Sequence, residues 1–212
     1  MIDWRCYVIT RGSGPEVVRA AADAAQAGAG VVQVRAKELG TRDLMAFANS
    51  VARAVHAAHP TTRVVIDDRA DVVFALRRAH SPIHGVHLGQ DDLPAADARA
   101  MLGPDAIIGL TTGTLELVRG AQAIADTIDY VGCGPFRPTP TKDSGRLPIG
   151  VEGYGPLVGA TRLPLIAIGD VEPGDVPALA AQGVAGVAMV RAVMQAEDPA
   201  AVVRDVLAGW HM

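Results

Sequence analysis

Aromatic residues make up only 4% of the 212-residue sequence, so Val, Ile, Leu and Ala must fill its core. Cysteine is scarcer still. Cys6 and Cys133 each lie inside a run of strand-forming residues, and no CxxC pair occurs. That pattern excludes a disulfide frame and a cysteine-based zinc site, and fits buried thiols in a reducing compartment. No apolar run is long enough to cross a bilayer. The chain enters a strand at once, without the charged start and apolar stretch of a signal peptide, so a cytoplasmic location is expected. Basic runs are missing, as is any interleaving of basic and aromatic residues. With a net charge of -4, a broad nucleic-acid surface is not expected, nor is a membrane partner. Finally, no GxGxxG follows the first strand-like run, which counts against an open doubly wound dinucleotide fold.

What is present is an alternation. Strand-like runs at Cys6 to Thr10, Val31 to Lys37, Val64 to Asp68, Gly85 to Gly89, Ala106 to Thr111, the stretch beginning at Asp129, Leu165 to Gly169 and Gly186 to Val190 are separated by helical patterns. Pro15 opens the first helix and Gly28 closes it. Thr41 is the expected cap of the second, whose Leu44, Phe47, Ala48, Val51 and Val55 form one apolar stripe. Pro94 starts the fourth. Gly153, Gly155 and Gly159 weaken the sixth. Gly183 ends the seventh, and Asp198-Pro199 opens the last, with Val202, Val203, Val206, Leu207 and Trp210 inward. The joints AAQAGAGVV and AAQGVAGVA echo one another. Eight strand–helix units imply a parallel sheet closed into a (β/α)8 barrel, an α/β fold in which residues 1–212 form one domain.

Active sites of such barrels lie at the C-terminal ends of the strands, and polar residues collect there. On the second strand Gln33, Arg35 and Lys37 alternate with Val32, Val34 and Ala36; the apolar set should face the helices and the polar set the barrel mouth. Cations inside a barrel need an anion. That anion is either a ligand or a carboxylate from a neighbouring strand. The third strand ends in Asp67-Asp68, and Gly89-Gln90-Asp91-Asp92 follows the fourth. Carboxylates gathered there suggest Mg²⁺, a hard ion that takes oxygen ligands. Asp91 is better read as a charge at a helix N-terminus, Asp92 as part of the mouth. His87 lies within a strand and can reach the interior, where a satisfied structural histidine is expected. His56, His59, His80, His84 and His211 are expected to be solvated. The sixth strand runs into GPFRPTPTKDSG, where Thr139, Thr141 and Lys142 are groups suited to holding a phosphate.

Together these residues resemble the thiamine phosphate synthase family. The likeness runs through QVRAK at Gln33–Lys37, DDRAD at Asp67–Asp71, GVHLGQDDLP at Gly85–Pro94, GCGPFRPTPTK at Gly132–Lys142 and AIG at Ala167–Gly169. It implies a (β/α)8 barrel that joins a hydroxymethylpyrimidine diphosphate to a hydroxyethylthiazole phosphate with loss of pyrophosphate, using Mg²⁺. By the resemblance, Gln33, Arg35, Lys37, Asp67, Thr111 and Lys142 would hold the pyrimidine diphosphate, with Arg35, Lys37 and Lys142 assisting the leaving group. Asp68 and Asp92 would ligate Mg²⁺. Thr139 and Thr141 would contact the thiazole phosphate, and Gly169, Asp170, Val190 and Arg191, after the seventh and eighth strands, would complete its cup. The partners are thus small molecules; a homo-oligomer is compatible with the sequence. Departures from the family pattern fall at Asp67, where Asn is usual, at Gly113, where His is usual, at Asp170, where a second Gly is usual, and at Arg191, where Ser is frequent. Gly113 argues against the sister group of thiazole tautomerases. Asp67 and Asp170 keep a second reading alive, a non-catalytic barrel that binds thiamine precursors or another phosphorylated ligand.

Overall fold

In the computed structural model, which describes residues 1–138, 145 and 147–211, eight parallel strands close into a barrel in sequence order. The strands are β1 (Cys6–Ile9), β2 (Val31–Val34), β3 (Arg63–Asp67), β4 (Gly85–Leu88), β5 (Ile107–Thr112), β6 (Tyr130–Cys133), β7 (Leu165–Ile168) and β8 (Gly186–Met189). The barrel closes where β1 pairs with β8, Tyr7 opposite Ala188. Around it lie α1 (Pro15–Gln26), α2 (Thr41–Ala58), α3 (Ala70–Arg78), α4 (Ala95–Leu102), α5 (Leu115–Ala123), α6 (Tyr154–Val158), α7 (Val176–Ala181), α8 (Arg191–Met194) and α9 (Pro199–Gly209), with a 3-10 turn at Pro173–Asp175.

Alternation along each strand sorts the apolar residues into two sets. Val8, Val32, Val34, Ile66, Val86, Ile108, Val131 and Val187 pack outward against the helices. Tyr7, Ile9, Val31, Val65, Ile107, Tyr130, Ile166 and Ala188 fill the barrel itself. The stripe of α2 is buried as its spacing requires. Each Leu, Phe or Val of that stripe contributes about 1.5–3 kcal/mol when fully removed from water.

Several expectations need correction. β2 ends at Val34, so Arg35 and Lys37 stand on the loop beyond it and not on the strand. The cap of α2 is Gly40, without a side-chain bond; Thr41 is its first helical residue and accepts from the Arg69 guanidinium at 2.9 Å. Pro94 is the cap of α4, one residue before its start. The short α8 between β8 and the last helix was not expected; four residues are too few for a periodic signal. The weak sixth helix is indeed only five residues long. His84 is not solvated. It is half-buried, and its Nδ1 accepts from the Val64 backbone N–H at 2.9 Å. Trp210 packs against the core as expected, although from the cap of α9, and its buried Nε1 has no partner among the described residues.

Candidate active site

The strand ends deliver a charged mouth. Gln33 is the last inward residue of β2 and is buried, as the alternation required. Beyond it Arg35 Nη1 pairs with Asp67 Oδ2 at the end of β3. Lys37 Nζ lies 2.5 Å from Asp68 Oδ2 and 3.6 Å from Asp67 Oδ2. The cations that the sequence placed here therefore meet carboxylates of the neighbouring strand in the structure without ligands. Asp68 has φ 62°, and this left-handed turn ends the strand and swings its carboxylate toward the next one. There it meets Asp92, whose Oδ2 accepts the Gly89 N–H at 2.6 Å. Asp91 is exposed on the same loop.

The electrostatics of the three carboxyls differ. Burial raises Asp67 above the ordinary carboxylate value, although Arg35 pulls the other way. Burial also opposes charge on Asp68, but Lys37 outweighs it and holds that carboxyl low. Asp92 is raised, by burial first and by the neighbouring Asp68 charge as well. Lys37 is the cation that serves this pair, and it favours Asp68 over Asp92.

On the opposite rim, Asp170 also takes a positive φ, 61°, and its Oδ1 pairs with Arg191 at the start of α8. Arg137, just after β6, holds this rim in place. Its Nη1 donates to the Asp170 carbonyl at 3.0 Å, its Nη2 to Asp175 at 2.6 Å, and its backbone N–H to the Gly169 carbonyl at 3.1 Å. Sequence reasoning passed over Arg137; only its place beside a phosphate-type loop hinted at it.

Between the rims lies a cavity of about 150 Å³, lined by Gln33, Arg35, Asp67, Thr111, Gly169, Asp170, Val190 and Arg191 among others. Every described residue assigned to the substrates borders it except Lys37, which stands outside with Asp68 and Asp92. Thr139, Thr141 and Lys142 lie outside the described residues. Tyr7, Tyr130 and His87 also line the cavity and are joined by hydrogen bonds. His87 reaches the barrel as expected and is satisfied there: Nδ1 meets the Tyr130 hydroxyl and Nε2 the Thr111 hydroxyl, both at 2.9 Å. The two tyrosines were not singled out in the sequence, where a strand tyrosine reads as core. Both cysteines are buried, and burial pushes the Cys6 thiol up to about 12.

Cations and carboxylates gathered at the C-terminal mouth of a closed eight-stranded barrel place the molecule among (β/α)8 barrels with a charged mouth. Known proteins narrow the class. The model of a family described as thiamine monophosphate synthase matches residues 6–193. A thiamine-phosphate synthase of Corynebacterium jeikeium is 60% identical over 206 residues, 97% of this chain and 94% of that protein. Another, of Corynebacterium efficiens, is 54% identical over 98% of this chain and 95% of its own length. Among solved structures, thiamine phosphate pyrophosphorylase from Pyrococcus furiosus superposes with a TM-score of 0.84 at 28% identity, covering 99% of this chain and 96% of that one. The chain belongs to the thiamine monophosphate synthase family.

Proposed function

We propose that the chain joins 4-amino-2-methyl-5-hydroxymethylpyrimidine diphosphate to 4-methyl-5-(2-hydroxyethyl)thiazole phosphate, giving thiamine phosphate and pyrophosphate. One observation carries this reading: 60% identity, over nearly the whole of both chains, to a thiamine-phosphate synthase. The mouth supplies chemistry that suits it. As the pyrimidine methylene parts from pyrophosphate, negative charge grows on the departing oxygens. Arg35 and Lys37 at the strand ends stand ready to meet it, and Lys142, by the family resemblance, joins them. The thiazole nitrogen then attacks the methylene carbon, so no covalent nucleophile is needed. The cations are balanced by Asp67 and Asp68 until the diphosphate arrives.

Mg²⁺ fits the same mouth. Asp68 and Asp92 present carboxyls close enough to share a hydrogen bond, with Lys37 beside them, and hard oxygen ligands suit this ion. Among the described residues no three His, Cys, Asp or Glu side chains form a metal cluster. Two carboxylates completed by substrate phosphate oxygens and water are the usual Mg²⁺ arrangement with phosphorylated substrates. When bound, the ion would add positive charge to the leaving diphosphate. Arg191, oriented by Asp170, would receive the thiazole phosphate at the other rim, with Gly169 and Val190 beside them. Among the described residues no helix is long and apolar enough to span a membrane, and a cytoplasmic site of action accords with soluble substrates.

The test is direct. Purified protein with both precursors and Mg²⁺ should release thiamine phosphate and pyrophosphate in equal amounts. Binding of the precursors without product would favour the non-catalytic barrel instead.

A further inference from the structure

Inside the barrel a single file of polar side chains runs from Gln33 to Thr111. Gln33 Nε2 donates to the Tyr7 hydroxyl at 3.0 Å. The Tyr7 and Tyr130 hydroxyls are 2.7 Å apart. The Tyr130 hydroxyl lies 2.9 Å from His87 Nδ1, and His87 Nε2 lies 2.9 Å from the Thr111 hydroxyl. Gln33, Tyr7, Tyr130, His87 and Thr111 come from β2, β1, β6, β4 and β5. All five residues line the substrate cavity, Gln33 and Thr111 at the two ends of the file. The barrel is shaped to admit it: a Cβ on Gly109 would stand 2.1 Å from the Tyr130 ring, and one on Gly132 would stand 3.1 Å from His87 Cε1.

With a neutral His87, and these bonds alone, such a file has two self-consistent arrangements of protons. Each tyrosine hydroxyl has one proton to give, and a neutral imidazole donates from one nitrogen and accepts at the other. If the Gln33 amide nitrogen donates to Tyr7, then Tyr7 donates to Tyr130 and Tyr130 to His87 Nδ1. His87 must then carry its proton on Nε2 and donate to Thr111. The Thr111 proton is left for the cavity, and the Gln33 carbonyl oxygen is left as an acceptor there. In the reverse arrangement every bond turns round. Thr111 donates inward to His87, His87 carries its proton on Nδ1, and the amide is flipped, so that Gln33 offers only its NH₂ group to the cavity. Mixed arrangements leave two protons, or two lone pairs, facing each other in a buried place.

We propose that Tyr7, Tyr130 and His87 are positioning residues that tie the two ends of this file together. The inference rests on the function proposed above, in which Thr111 meets a diphosphate oxygen. A phosphate oxygen only accepts, so Thr111 must donate to it. That choice forces the first arrangement, and Gln33 then presents its carbonyl oxygen. A carbonyl acceptor selects a pyrimidine bearing an amino group and rejects the 4-oxo analogue, whose oxygen would face it. Anchoring of the diphosphate at one end thereby sets recognition of the base at the other.

The test needs no variant to begin with. Nitrogen-15 spectra of His87 in the wild-type protein, loaded with Mg²⁺ and inorganic pyrophosphate, should show the Nε2–H tautomer. The Nδ1–H tautomer in that complex overturns the proposal. Tyr7→Phe and Tyr130→Phe interrupt the file without touching the cavity charges. Loss of one such hydrogen-bonded constraint should raise the KM for the pyrimidine diphosphate about tenfold while kcat changes much less. The binding preference for the 4-amino over the 4-oxo pyrimidine diphosphate should fall by a similar factor. Lower melting temperatures with that preference unchanged would assign the tyrosines a merely structural role and sink the idea. Outcomes for the parent reading differ. A wild type that shows the tautomer and the preference yet forms no thiamine phosphate removes the synthase and leaves the file. Turnover with full discrimination in both Phe variants removes the file and leaves the synthase.

Discussion

Asp68 shows how much depends on one residue. Its left-handed backbone brings a strand-end carboxylate against both Lys37 and Asp92. Asp68→Asn keeps the shape and removes the charge, so turnover should drop by about a hundredfold or more if a metal and the departing pyrophosphate rely on it. Undiminished turnover in that variant, or in excess chelator, contradicts the assignment. Asp170 and Arg191 offer a second test at this scale. A carboxylate facing the thiazole phosphate from about 4 Å would cost between about 1 kcal/mol in water and about 4 kcal/mol at an effective dielectric of 20. The observed pairing of Asp170 with Arg191 suggests that the carboxylate orients the guanidinium that would hold the phosphate. Asp170→Gly should therefore shift the KM for the thiazole phosphate modestly, and its positive φ makes glycine acceptable there. Arg191→Ser should raise that KM strongly, and the double variant should recover much of the loss. Strictly additive effects in the cycle would show the two to be uncoupled.

At the scale of elements, glycines fix how the strands meet the chain before β1. A Cβ on Gly30, ahead of β2, would stand 1.8 Å from the Asp3 carbonyl oxygen, and one on Gly186, at the start of β8, would stand 1.8 Å from that of Trp4. These two positions are the matching glycines of the echoed joints in the sequence. Backbone atoms cannot rotate aside, so Gly30→Ala should destabilise by more than about 2 kcal/mol. Gly120 is exposed within α5 and has nothing within 4 Å of its would-be Cβ. Gly120→Ala should instead gain roughly 0.5–1 kcal/mol from helix propensity. Chemical denaturation of both variants measures the contrast; equal effects would refute this packing argument. The elements were legible because their signals are local: the α2 stripe, Pro15 and Gly28 around α1, the glycines of the sixth helix. Where β2 ends was not legible. Alternation continues through Arg35 and Lys37, but pairing with β3 stops at Val34, and only the neighbouring strand can show that. Charge partners were half legible. That Arg35 needed an anion followed from its place, whereas the choice of Asp67 required the barrel's register. The tyrosine–histidine file escaped notice because its members lie far apart in sequence and each alone reads as core.

For the molecule as a whole, His84 sets an acid limit. Burial, then the charge of Arg63, lowers its pKa from 6.5 to about 4. The folded state therefore keeps it neutral, with Nδ1 accepting from Val64, while the unfolded chain takes up a proton below pH 6.5. Between those values the unfolded state binds more protons, so stability rises with pH. This contribution is complete above pH 6.5 and is lost as the pH falls to about 4. Melting temperatures across that window should fall with acid in the wild type, and less steeply in His84→Asn, whose side-chain oxygen can still accept from Val64. Parallel curves would show that other groups govern the acid limit.

The pairing of charges at the mouth has a bearing on how quickly substrates arrive. Asp67, Asp68, Asp92 and Asp170 face Arg35, Lys37 and Arg191, so the described mouth carries slightly more negative than positive charge. Among the described residues, the mouth therefore offers no net positive charge to draw a phosphorylated molecule inward. Capture of the thiazole phosphate should proceed at the pace of unsteered diffusion, and its association rate in metal-free buffer should change little between low and physiological ionic strength, where a steered encounter would slow steeply. Stopped-flow measurements over that range decide the matter, and a steep decline would mean that the ion pairs open before the encounter.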